Sequence, residues 1–129
     1  MSFHATREQK VPGPDHPITV QPTGKRVVAR VGDTVIIDTT SALTLQESTY
    51  PAVQYLPLAE IDPALLQTTE TRTYCPYKGE ASYYSLLVPG AAGDLTDAVW
   101  TYETPYAPVA DIAGHVAFYP NLVDVSVGG

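Results

Sequence analysis

The sequence predicts a mainly β, antiparallel domain with one or two short helices, and three observations carry the prediction. Short runs rich in Val, Ile, Thr and Tyr recur along the chain, and most are too brief for a helix. Twelve prolines and nine glycines are distributed largely between those runs, where strands must turn. Two β-branched runs flank Gly32-Asp33, a pairing that marks a tight hairpin. The 129 residues suit one domain. A chain of that length buries roughly two-thirds of its unfolded surface, so it needs neither a metal nor a disulfide to fold.

Taken in order, residues 1–16 carry Pro12, Gly13 and Pro14 among polar residues without periodicity, and read as an extended or disordered arm. Residues 17–129 then form the single domain. Strands are expected at 18–21, ended by Pro22-Thr23-Gly24, and at 26–31 and 34–38 on either side of the hairpin turn. Further strands follow at 42–47 and at 53–56, the latter stopped by Pro57. One helix is expected from Asp62, a capping residue, with Pro63 at the first helical position and Ala64 to Gln67 continuing it. Strands resume at 71–75, 81–88, 98–102, 115–119 and 123–127. A turn is expected at 89–93 and a second short helical turn at 108–113.

Charge narrows the function classes. The net charge is −7, and from Gly32 onward only Arg72 and Lys78 are basic, against twelve acids. Nucleic-acid affinity comes largely from cations that neutralise phosphates, so no nucleic-acid partner is expected. An anionic membrane surface is excluded on the same ground, and no apolar run approaches the ~20 residues of a membrane span. Cys75 is the single cysteine, which excludes an internal disulfide and a multi-cysteine zinc site. With no signal-like N-terminus, the cytoplasm is the expected compartment.

The residues with the most chemistry lie in Thr73-Tyr74-Cys75-Pro76-Tyr77-Lys78-Gly79-Glu80-Ala81-Ser82-Tyr83-Tyr84, which brings a thiol, an ammonium and four phenols together. Lys78, isolated in acidic sequence, can hold an anionic group of a small molecule, or it can bridge surface carboxylates across a turn. Gly79 beside it permits a close backbone approach. Cys75 is a reactive-thiol candidate, since a nearby ammonium favours thiolate chemistry. It lacks a second cysteine for dithiol exchange, and a free cysteine commonly packs as a small hydrophobe. Glu47, ending an apolar strand, reads either as a general base or ligand acceptor, or as a solvated strand end. Trp100 and Tyr102 share one face of a strand and can wall a ring-binding pocket with Tyr55 and Tyr83, or pack as core. His4, His16 and His115 have no metal-ligand spacing. Asp94/Asp97 and Glu60/Asp62 support a divalent site only weakly, so no metal and no cofactor is expected. No phosphate loop, Ser-His-Asp order or dinucleotide fingerprint occurs.

The chain also resembles the DUF427 family of small proteins of unknown function. The resemblance runs through His16-Pro17-Ile18, Glu47, Tyr55-Leu56-Pro57, the block from Thr73 to Tyr84, Trp100-Thr101-Tyr102 and Val116-Ala117-Phe118-Tyr119. It covers about residues 16–127, and Cys-Pro-Tyr-Lys-Gly-Glu-Ala is its most specific part. It implies a small antiparallel β-tent (Mss4-like) domain in which two small sheets meet around a cleft. It places signature positions on Glu47, Tyr55, Pro57, Cys75, Pro76, Lys78, Gly79, Ala81, Tyr83, Trp100, Tyr102 and Tyr119. The family shows Arg-Glu-Asp-Val after its Tyr-x-Pro where this chain has Leu58-Ala59-Glu60-Ile61, so that arginine is missing. A nucleotidyltransferase-like label attached to the family has little support here, because the Gly-Ser and paired-carboxylate metal motif is absent.

Three functions remain open on the sequence. The first is a small-molecule site, catalytic or not, with Glu47 and Lys78 as its polar groups, Tyr55, Tyr83, Trp100 and Tyr102 as its walls and a small anionic molecule as its ligand. The second is a non-catalytic structural or interaction module in which Glu47 and Lys78 pin two strands. The third is thiol sensing through Cys75.

Overall fold

The computed structural model describes residues 7–91 and 93–128. The expected positions of His4 and the rest of residues 1–6, of Ala92 in the 89–93 turn and of Gly129 at the domain's end lie outside them. Among the described residues ten antiparallel strands form two sheets: β1 (Ile18–Pro22), β2 (Val27–Val31), β3 (Thr34–Thr39), β4 (Leu43–Glu47), β5 (Val53–Pro57), β6 (Leu66–Cys75), β7 (Gly79–Leu86), β8 (Val99–Thr101), β9 (His115–Phe118) and β10 (Asp124–Val127). Seven of them follow the order β1-β4-β5-β9-β8-β7-β6, and β10-β2-β3 make the smaller sheet. The fold is mainly β, as the strand-and-turn pattern predicts. The Gly32-Asp33 turn joins β2 to β3, with Gly32 at φ 56° in the left-handed region that a tight hairpin turn requires.

The short helical segments expected after Asp62 and at 108–113 form as 3-10 turns, at Pro63–Leu65 and Ala107–Ile112, and among the described residues a third forms at Leu58–Glu60. The extent of the first is corrected. Asp62 does cap it, its carboxylate accepting from the Ala64 N–H at 2.9 Å. The helix does not reach Gln67, because Leu66 pairs with Leu86 and Gln67 with Ser85 in the β6–β7 ladder. Leu66 thereby packs against buried core, and that tertiary gain overrides local helix propensity. The Leu58–Glu60 turn has no counterpart in the sequence reading.

Strand alternation gives the large sheet two apolar faces. One face presents Leu56, Leu86, Val99, Val116 and Phe118, which the small sheet covers with Val27, Ala29, Ile36 and Ile37. Ile36 and Ile37 are consecutive yet both join this core, because Ile36 is the extra residue of a bulge in β3 opposite the Ala29–Arg30 step of β2. The other face presents Tyr55, Ala81, Tyr83, Tyr102 and Ala117 beneath Val109 and Ile112 of the last 3-10 turn. A second irregularity, in β6 between Thr68 and Arg72, is held by Asp97. Its two carboxylate oxygens accept from Thr69 Oγ1 and Thr71 Oγ1, each at 2.6 Å.

The large sheet is continuous only through a narrow seam. β5 and β9 pair at Leu56↔Val116 and Pro57↔His115, and nowhere else. Beyond that point Val53, Gln54 and Tyr55 diverge from Phe118, Tyr119 and Pro120, and the sheet forks. Among the described residues no helix is long and apolar enough to cross a membrane.

Leu56 is fully buried at the seam. Leu56→Ala is expected to cost about 2–5 kcal/mol, as large-to-small changes in packed cores do. Urea unfolding with an unchanged m-value checks this, and a cost below about 1 kcal/mol would show the seam to be loosely packed.

Candidate functional site

The fork opens into a cavity of about 670 Å³. Val53, Gln54 and Tyr55 line one side, Phe118, Tyr119 and Pro120 the other, with Val125 and Val127 of β10 and the rim residues Tyr50 and Pro51. Its remaining wall is Leu45, Glu47, Lys78, Tyr83, Trp100 and Tyr102. The six binding candidates of the sequence therefore surround one space, although they come from four strands, the β6–β7 turn and the residue after β8. Cys75 is not part of the lining.

Glu47 and Lys78 are in direct contact. Glu47 ends β4, and Lys78 sits in the turn between β6 and β7, where its N–H bonds back to Cys75. Lys78 Nζ donates to Glu47 Oε1 at 2.5 Å, and both side chains are largely buried. The second carboxylate oxygen, Oε2, lies 2.8 Å from His16 Nε2. An ionised carboxylate only accepts, so Nε2 carries the proton. The His16 ring stacks on Tyr77 with centroids 4.1 Å apart and planes 12° apart. Sequence reasoning gave His16 no role in the site, because it lies in an aperiodic segment. The one available signal was its place at the head of the His16-Pro17-Ile18 match.

Residues 7–16 follow the β6–β7 turn rather than leaving the domain. Lys10 N–H donates to the Pro76 carbonyl, Tyr74 Oη to the Glu8 carbonyl, and Arg7 pairs with Glu80 at 2.9 Å. Ser48 N–H donates to the Pro17 carbonyl, which fixes the start of β1 against the end of β4. Gly79, at φ 113°, does permit a close approach, and the approaching backbone is that of Thr104 to Tyr106. Tyr106 N–H donates to the Lys78 carbonyl at 3.0 Å, so the turn that carries Lys78 is held from both sides. Cys75 Sγ is partly buried and lies 3.7 Å from Lys78 Nζ.

The aromatic wall is internally bonded. Trp100 Nε1 donates to Tyr55 Oη at 3.2 Å, with the rings edge-on, and Tyr119 tilts over Trp100 at 4.7 Å. Tyr83 Oη lies 2.8 Å from Thr73 Oγ1 and 3.4 Å from Tyr119 Oη. Tyr102 differs from these. It is 8% exposed, and its hydroxyl has no hydrogen-bond partner among the described residues. No side-chain polar atom among those residues is sealed from solvent without a partner, so this hydroxyl is accessible, and Tyr102 lines the cavity. Burial pushes the Tyr55 and Tyr102 phenols far up, and Tyr119 up to about 12. All three stay protonated near neutral pH.

Burial also acts to raise the Glu47 carboxyl, but the hydrogen bonds and charges of Lys78 and His16 outweigh it. The net effect holds Glu47 below its ordinary 4.5. The described residues contain no group of three His, Cys, Asp or Glu side chains able to hold a metal ion. Asp94 is occupied in bonding Thr96, and Asp97 in holding the β6 irregularity.

A family model described as a domain of unknown function (DUF427) matches residues 19–129. No curated protein matches the chain.

A carboxyl held low in the native state stabilises the fold above its unfolded pKa, and that contribution is lost as pH falls through the native value. Glu47→Gln is expected to cost about 1–3 kcal/mol near neutral pH, where it leaves the Lys78 ammonium facing an amide. The gap between wild type and variant should narrow as pH drops below 4.5. Denaturation midpoints at pH 7 and pH 3 check the sign, and a gap that widens on acidification would contradict the assignment.

Proposed function

The chain belongs to the DUF427 family, and from that premise we propose that the forked cavity is a small-molecule-binding cleft. Glu47 and Lys78 form its polar end, and Tyr55, Tyr83, Trp100 and Tyr102 its walls. One observation carries the reading. A largely apolar cavity of about 670 Å³ is lined by Tyr102, a buried residue whose accessible hydroxyl has no partner among the described residues, beside a buried ion pair. Apolar walls with a few convergent polar groups are the usual make-up of a ligand site. Its volume suits a molecule of one or two rings.

Within this cleft Glu47 acts as a hydrogen-bond acceptor. A carboxylate held below its ordinary pKa is a weakened general base, so binding is a better reading than proton abstraction.

The geometry of the ion pair also favours a second reading, a structural or interaction module. Glu47 ties Lys78 of the β6–β7 turn to His16 before β1, and so joins segments distant in sequence. In that role its charge is already satisfied without any ligand.

A thermal-shift screen of wild type, Lys78→Met and Tyr102→Phe separates the two. Nucleotides, nucleosides, sugar phosphates, amino acids, small carboxylates and neutral lactams make up the panel. A ligand at 100 times its Kd adds about 2.7 kcal/mol, a rise of roughly 8 °C or more for a domain of this size. A rise lost in either variant supports the cleft. No rise with any class, together with a strongly destabilised Lys78→Met, supports the structural module.

A further inference from the structure

Of the described residues lining the cavity, Glu47 and Lys78 alone carry charge, and they are paired with each other. The ammonium that would hold an anionic ligand is thus already neutralised at 2.5 Å. The lining contains no arginine to form a bidentate clamp on a phosphate or carboxylate. A doubly charged phosphate placed there would lose its hydration without finding a compensating charge.

Hydrogen-bond donors, by contrast, are in surplus. The Tyr102 hydroxyl is unpartnered among the described residues. Tyr55, 1% exposed, accepts from Trp100 but has no acceptor for its own O–H among them. Both residues line the cavity. Their protons are held firmly, since burial opposes ionisation of each. Two neutral donors beside an apolar space match a neutral acceptor, because a ligand that displaced water from them without accepting would leave each O–H unmet at a cost. Beside them Trp100 and Tyr119 offer ring faces.

We infer that the cleft selects an uncharged, ring-bearing molecule that presents a carbonyl oxygen to the hydroxyls of Tyr55 and Tyr102, and that it discriminates against phosphorylated or carboxylate analogues. The inference rests on the cavity being a ligand site and adds the ligand's charge state and its anchoring group. Glu47 then accepts from an N–H or O–H on the same ring. Tyr102 sets specificity, and the Glu47–Lys78 pair excludes anions by leaving no free positive charge.

Trp100 is the only tryptophan of the chain and lines the cavity, so its fluorescence reports occupancy directly. Wild type and Tyr102→Phe are titrated with 2-pyridone, benzamide and uridine, and with the charged counterparts benzoate and uridine 5′-monophosphate. The expected result is saturable change with at least one neutral compound and binding at least tenfold weaker for its charged counterpart. Tyr102→Phe, which keeps the ring, should weaken the neutral compound about tenfold while the melting curve stays cooperative. Equal or tighter binding of benzoate or the monophosphate overturns the inference and leaves the cleft standing as a ligand site. Neutral binding unaffected by Tyr102→Phe also overturns it. No saturable change with any of the five compounds overturns both the inference and the cleft.

Discussion

The Glu47 carboxylate is the point on which the geometry of the site depends. Its two oxygens divide their bonds between Lys78 and His16. One partner lies in the turn between β6 and β7, and the other in the segment leading into β1. The β1–β4 ladder brings the segment before β1 to the end of β4, but no strand pairing sets the β6–β7 turn there. A half-buried charge pair does so because each partner is costly to leave alone. The stack of His16 on Tyr77 and the bond from Lys10 to Pro76 then follow the same line. The resulting wall is bonded on its outer side and faces the cavity on its inner side.

What makes that wall useful is the incompleteness of the large sheet. Two rungs join β5 to β9, and past them the strands separate. A fully paired sheet would have filled the same volume with backbone ladder. Here the fork is filled by side chains from both edges, which leave a space between them. The aromatic residues cannot close it, because Tyr55, Trp100, Tyr83 and Tyr119 are already fixed by bonds to one another and to Thr73.

Much of the fold was legible in the sequence because β-branched runs and turn residues act locally. The hairpin at Gly32-Asp33 and the cap at Asp62 are examples in which the residue type dictates the geometry. The helix expected through Gln67 shows where this reasoning ends, since pairing with β7 is a long-range gain that no local window contains. The gathering of Glu47, Lys78 and four aromatics around one space was suggested by residue type and by family resemblance. The contact between them depends on the seam and could not be read from spacing. His16 escaped notice for the same reason: a histidine in an aperiodic stretch has no signature until its carboxylate partner is known. Tyr102 was visible as an aromatic, but its unspent hydroxyl is a property of its neighbours.

The small sheet carries a consequence for the order of assembly. β6 to β9 form from residues 66–118 without interruption, and β1, β4 and β5 from residues 18–57, with only the β2–β3 hairpin of the small sheet between them. β10 pairs across the whole length of the domain, Val125 with Ala29 and Val127 with Val27. Loop closure of that span is the slowest kind of contact to form, because chain entropy is lost before pairing compensates. Val125 and Val127 also line the cavity. The two halves and their seam can pair without this edge, and the binding space is completed only when β10 docks on β2.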